Sequence, residues 1–168
     1  GFGTEINSTS LGDGLEGYID AFTDWSYEMT KRHPNVIFED CAGGGQRTDY
    51  RALSIFHLLS TSDQTNYLHY PYIAANITAS ALPEQAGVWS YPVDSFGRPG
   101  EPFEATYEWV NTHISAEQVV MNMINSFLGR MHLASHVELL SEDKQALIRE
   151  GIDYFNKLSD VKGEALPY

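Results

Sequence analysis

Apolar residues recur at helical spacing over residues 15–32. Leu15, Tyr18, Ile19, Phe22 and Met29 fall near one face, the i, i+3, i+4, i+7 pattern of an amphipathic helix. Asp13 or Gly14 stands where a cap is needed, and Pro34 follows the end. Val36-Ile37-Phe38 is short, β-branched and aromatic, as a buried strand requires. It runs into the polar, glycine-rich stretch Glu39-Asp40-Cys41-Ala42-Gly43-Gly44-Gly45-Gln46-Arg47.

The same order then recurs. Residues 49–57 read as a helix, and residues 58–61 as a second short strand ending in Ser62-Asp63-Gln64-Thr65-Asn66. Residues 67–82 read as a helix interrupted or started late by Pro71. Gly87-Val88-Trp89-Ser90-Tyr91 reads as a third strand, followed by a long connection over residues 92–113 with a turn signal at Gly97-Arg98-Pro99-Gly100. Ser115 and Gln118 have capping-box spacing and open a helix carrying Val119, Val120, Met123, Ile124 and Phe127. Residues 130–133 read as a fourth strand. Ser141, Glu142 and Asp143 start a last helix with a stripe of Leu147, Ile148, Ile152 and Phe155.

About four alternating β and α units predict an α/β chain with a parallel sheet. Two architectures fit: half of a (β/α)8 barrel and a small doubly wound sheet. Both place functional residues in the loops after the strands, where the two most polar loops of this chain lie. An open half-barrel would expose two sheet edges and an apolar inner face, so association is expected.

Composition narrows the function. The 168 residues are 42% hydrophobic and carry a formal net charge of −13, from 10 Lys plus Arg against 23 Asp plus Glu. That is enough apolar material for a core, and the wrong sign for a nucleic-acid partner or an anionic membrane surface. There is no apolar run of about 18 residues to span a bilayer, and the first ten residues lack the basic start and apolar stretch of a signal peptide. The single cysteine, Cys41, forbids an internal disulfide and points to a reducing cytoplasm.

Asp63 follows a strand-like run, where a carboxyl can give or take a proton, but where an Asp also serves as a helix cap. Glu39 and Asp40 are adjacent on a strand end, so alternation turns them to opposite sides. Gly43-Gly44-Gly45 lets backbone N–H groups approach a ligand, or is a mobile connector. It lacks the Gly-Lys-Ser/Thr ending of a phosphate loop. Arg47 is a ligand contact or the partner of a carboxylate such as Asp49. Cys41 is a nucleophile, a ligand contact or a small buried hydrophobe. Trp89 and Trp109 are candidates for a ligand rim or for core packing. His132 and His136 are four apart, but a strand-to-loop context separates them, and no metal or other cofactor is expected.

The stretch Val36-Ile37-Phe38-Glu39-Asp40-Cys41-Ala42-Gly43-Gly44-Gly45-Gln46-Arg47-Thr48-Asp49 resembles the V-x-F-E-N-C-x-x-G-G-x-R-x-D block of glycoside hydrolase family 36, the bacterial α-galactosidases or melibiases. Thr61-Ser62-Asp63-Gln64-Thr65 resembles that family's T-S-D-D-T block, at matching separation. Phe127-Leu128-Gly129 and the helix start at Leu140-Ser141-Glu142-Asp143-Lys144 look like the end of the same catalytic barrel.

The resemblance implies that residues 1–168 form the C-terminal part of a (β/α)8 TIM barrel. The N-terminal barrel strands and the flanking β-domains would lie outside it. It implies a retaining hydrolase of terminal α-galactosides such as raffinose or melibiose, with Asp63 as acid/base. Cys41, Gly43, Gly44, Arg47 and Ser62 would be substrate-binding. The family's nucleophile, in a K-x-D-x-N motif, has no counterpart here and is expected upstream of Gly1, so the isolated segment is expected to be inactive. The implied partners are an α-galactoside, the remainder of the barrel and, in the parent enzyme, further copies of itself. Asp40 stands where Asn is usual, Ser60 where a Trp often precedes the T-S-D triplet, and Gln64 and Asn66 replace common acids. An α-N-acetylgalactosaminidase of the same family, or a non-catalytic sugar-binding or packing fragment, is the alternative.

Overall fold

The computed structural model describes residues 12–93 and 106–162. The expected turn at Gly97-Arg98-Pro99-Gly100 and most of the N-terminal loop expected over residues 1–14 lie outside them. Four strands form one parallel sheet: β1 (Glu39–Asp40), β2 (Leu58–Ser60), β3 (Ala86–Ser90) and β4 (Arg130–Leu133). The helices are α1 (Asp13–Arg32), α2 (Tyr50–Ile55), α3 (Tyr70–Ile77), α4 (Tyr107–His113), α5 (Ala116–Asn125) and α6 (Glu142–Lys162).

The spatial order is β1-β2-β3-β4, the same as the order in the chain. A doubly wound sheet reverses direction at a switch point. Here each crossover steps the same way, and right-handed crossovers then place all the helices on one face. The architecture is therefore part of a (β/α)8 barrel. Leu59 packs on Ala52 and Phe56 of the α2 region. Val88 packs on Tyr70 and Ala74 of α3, and Met131 on the cluster of Val119, Met123 and Ile148 from α5 and α6. Those residues mark the helix-facing side. Alternation turns Ser60, Trp89 and His132 to the other side, where the Trp89 Nε1–H donates to Ser60 Oγ at 3.1 Å.

Four local expectations change. The strand expected at Val36-Ile37-Phe38 lies two to three residues later, at Glu39–Asp40. Pro34 and Asn35 make a turn in which the Val36 N–H donates to His33 O, so Val36 and Ile37 stay exposed and the chain meets β2 only at Phe38. The first helix is capped by Gly12, with φ 93° and no side-chain bond, rather than by Asp13 or Gly14. The long connection before residue 113 contains α4, capped by the Thr106 hydroxyl, which accepts from Trp109 N–H. The inner sheet face is mixed rather than apolar, because Glu39, Ser60, Trp89 and His132 share it with Leu58. Other signals act as read: Pro71 lies in the first turn of α3, Ser115 Oγ accepts from Gln118 N–H at the start of α5, and Ile148 is buried on α6.

Candidate active site

The loop after β1 turns through Gly43 and Gly44, whose φ values of 54° and 70° lie in the left-handed region. L-residues pay for that conformation with a clash between Cβ and carbonyl, and glycine does not. The loop is also pressed against the end of β2. A Cβ on Gly44 would stand 2.6 Å from Ser62 Cα and 2.7 Å from Asp63 N, and one on Gly45 would stand 2.6 Å from Thr61 O. The glycine block and the Thr61-Ser62-Asp63 block are thus one continuous surface at the C-terminal ends of neighbouring strands. Gly44 and Gly45 are there because the approach leaves no room for a side chain.

Asp63 is exposed at this surface. Its loop is shaped by side chains bonding to nearby backbone. Ser62 Oγ accepts from Gln64 N–H at 3.0 Å, Gln64 Oε1 from Asn66 N–H at 3.0 Å, and Asn66 Oδ1 from Leu68 N–H at 2.9 Å. Because the next helix begins only at Tyr70, with His69 at its N-cap, Asp63 is not a helix cap. Its side chain is exposed on a loop, a position open to proton transfer to a bound group.

The β2 and β3 ends are tied by a buried chain of hydrogen bonds. Thr61 Oγ1 donates to Gly87 O at 2.8 Å, which uses its only proton. Tyr70 Oη therefore donates to Thr61 Oγ1 at 2.9 Å, and itself accepts from Trp89 N–H at 3.0 Å. The Trp89 ring lies nearly parallel to that of Tyr91, with centroids 5.7 Å apart, and meets His132 edge-on at 4.8 Å. Burial, with the charges of Tyr70, Asp63 and Cys41, pushes the Tyr91 phenol up to about 12. Sequence reasoning singled out Trp89 but missed Tyr70, Tyr91 and a contact for His132. The alternation Trp89-Ser90-Tyr91, two aromatics on one strand face, was the available signal for Tyr91.

Arg47 faces elsewhere. Its guanidinium pairs with Asp40 at 3.7 Å and lies 5.1 Å over the Phe22 ring of α1. Asp49, its expected partner, instead caps α2 by accepting from Ala52 N–H at 2.8 Å. Alternation places Glu39 exposed and Asp40 buried. Burial raises the Asp40 carboxyl, opposed by the Arg47 charge and reinforced by that of Asp49. Arg47 and Asp40 line a cavity of about 370 Å³ with Leu15, Tyr18, Ile19 and Phe22 of α1. Cys41 is an exposed thiol, not a small buried hydrophobe. Trp109, on α4, stacks on His113 at 4.7 Å. His136 pairs with Glu138, away from the His132 ring on Trp89. Among the described residues no three His, Cys, Asp or Glu side chains are grouped to hold a metal, and no helix is long and apolar enough to cross a membrane. Gly44, Ser62 and Asp63 therefore come together, while Arg47 turns to the α1 side.

Comparison with known proteins agrees with this architecture. The chain is similar to a probable alpha-galactosidase C of Aspergillus terreus, 34% identical over 76 residues that cover 39% of this chain and 10% of that protein. Its fold is similar to the galactosidase domain of an alpha-galactosidase-sucrose kinase, with a TM-score of 0.69 and 20% identity over 92% of this chain and 19% of that one. The likeness to the solved structure is one of fold, and the chain spans about a tenth to a fifth of the length of these proteins. No family model matches. The resemblance to α-galactosidases stands on both sequence and fold.

Proposed function

We propose that these residues belong to the catalytic barrel of a retaining glycoside hydrolase of family 36 that cleaves terminal α-galactosides of the raffinose and melibiose kind. The observation that carries this reading is the contact of Gly44 with Ser62 and Asp63, which makes one surface of the two blocks that resemble the family. Asp63 is the acid/base. A carboxylate outside these 168 residues attacks the anomeric carbon as the glycosidic C–O bond breaks, and Asp63 gives its proton to the leaving oxygen. Asp63 then takes a proton from water, whose oxygen displaces the carboxylate and releases galactose. The two carboxyl groups of such an enzyme stand about 5 Å apart. Backbone at Gly43 and Gly44, with Cys41 and Ser62, receives the sugar hydroxyls. Arg47 acts at the edge of the site through its loop. No cofactor takes part. The parent enzyme works in the cytoplasm as a homo-oligomer with the rest of the barrel in place.

The test uses the full-length protein with Asp63→Ala. Hydrolysis of melibiose falls by about 100-fold or more, because its leaving group needs the proton. An activated aryl α-galactoside keeps more turnover, and azide accelerates it and is captured as α-galactosyl azide. Unchanged turnover without azide overturns the assignment. Wild-type preference for an N-acetylgalactosaminide would keep the chemistry and change the substrate.

A further inference from the structure

Two aromatic rings on the strand next to that of Asp63 have no part in the proton transfer. Trp89 and Tyr91 come from the end of β3 and point to the inner side of the sheet. The register Ser60 beside Gly87, continued by the Thr61 N–H on Gly87 O, makes the ends of β2 and β3 that lead to Asp63 and Trp89 neighbours. The rings are held in place. Trp89 is fixed by its Nε1–H on Ser60 Oγ, by its N–H on Tyr70 Oη and by the His132 ring at its edge. Tyr91 is fixed by its N–H on Asn122 Oδ1 at 3.2 Å and by its stack on Trp89. Ordered rings of this kind bind flat apolar faces without losing side-chain freedom on binding.

We propose that Trp89 and Tyr91 form the platform for the sugar leaving group, with Tyr91 as a specificity-determining residue. The inference rests on the α-galactoside reading. An acid/base carboxyl must sit beside the glycosidic oxygen, so the surfaces on its two sides contact the two sugars that this oxygen joins. On the β1 side of Asp63 lies the glycine loop, which offers backbone polar groups and no side chain at Gly44, a surface for hydroxyls. On the β3 side lies the stacked pair of Trp89 and Tyr91, whose outer ring face is a surface for the C–H face of a pyranose.

The experiment compares full-length wild type, Tyr91→Ala and Tyr91→Phe on melibiose, whose leaving group is a sugar, and on α-galactosyl fluoride, whose leaving atom has no face to stack. Tyr91→Ala is expected to raise KM for melibiose about tenfold and to leave the fluoride within about twofold, while Tyr91→Phe keeps melibiose within about threefold. An equal fall on both substrates, or no change on either, overturns the proposal. If wild type turns over neither substrate, the hydrolase reading fails by itself. Calorimetric titration of melibiose then decides: binding lost in Tyr91→Ala supports the platform, and binding that is absent or unchanged rejects it.

Discussion

Ser62 Cα stands 2.6 Å from the point that a Cβ on Gly44 would occupy. No side chain fits there, and the atoms in the way are backbone, so the neighbour cannot yield without moving Asp63. Gly43 has a similar positive φ, but there the nearest group is the flexible end of Gln46. Gly43→Ala is expected to cost about 1 kcal/mol for left-handed backbone and to leave kcat/KM within about threefold. Gly44→Ala is expected to cost at least about 2 kcal/mol and to reduce kcat/KM by about 100-fold by shifting Asp63. Urea midpoints and steady-state rates check this, and equal behaviour of the two variants would show that the loop contact does not position Asp63.

Asp40 offers a test by pH. Its folded carboxyl lies above the usual 3.8 because burial outweighs the Arg47 charge. Between 3.8 and that raised value the folded state binds more protons than the unfolded one, so this group destabilises the fold as pH rises through its folded pKa. Asp40→Asn removes that dependence. In urea unfolding between pH 3 and 7, wild type should gain stability relative to the variant as pH falls, with the variant no less stable at pH 7. A constant difference across that range would reject the raised carboxyl.

The chain from Trp89 N–H through Tyr70 and Thr61 to Gly87 O makes a third prediction. Tyr70→Phe leaves the Trp89 N–H without its acceptor and should cost about 1–3 kcal/mol. Thr61→Val breaks the same chain one link on. The double variant should lose less than the sum of the singles, since neighbours in one network are not additive. Full additivity in chemical denaturation would show that the bonds act independently.

The elements with strong local signals were legible. Pro71 started α3, the Ser115 hydroxyl capped α5, and the short stretch at residues 130–133 paired as β4. Val36 and Ile37 were not legible, because β propensity says nothing about whether a sheet edge lies within reach. The turn at Pro34 and Asn35 kept them out of it. The sequence allowed Asp63 to be a helix cap, and the start of α3 at Tyr70 removed that reading. Arg47 had several carboxylates within a few residues, and Asp49 was spent on the α2 N-terminus, leaving Asp40.

By itself, the sequence determined the alternation of strands and helices, the polar loops after the strands and the two blocks that resemble α-galactosidases. All three are encoded in residues close together in the chain. Only the tertiary structure decided that the strands run in sequential order, that Gly44 touches Ser62 and Asp63, that Arg47 turns to Asp40 and Phe22, and that Tyr91 stacks on Trp89. These depend on parallel register and on competition for partners among residues distant in sequence, which no local pattern records.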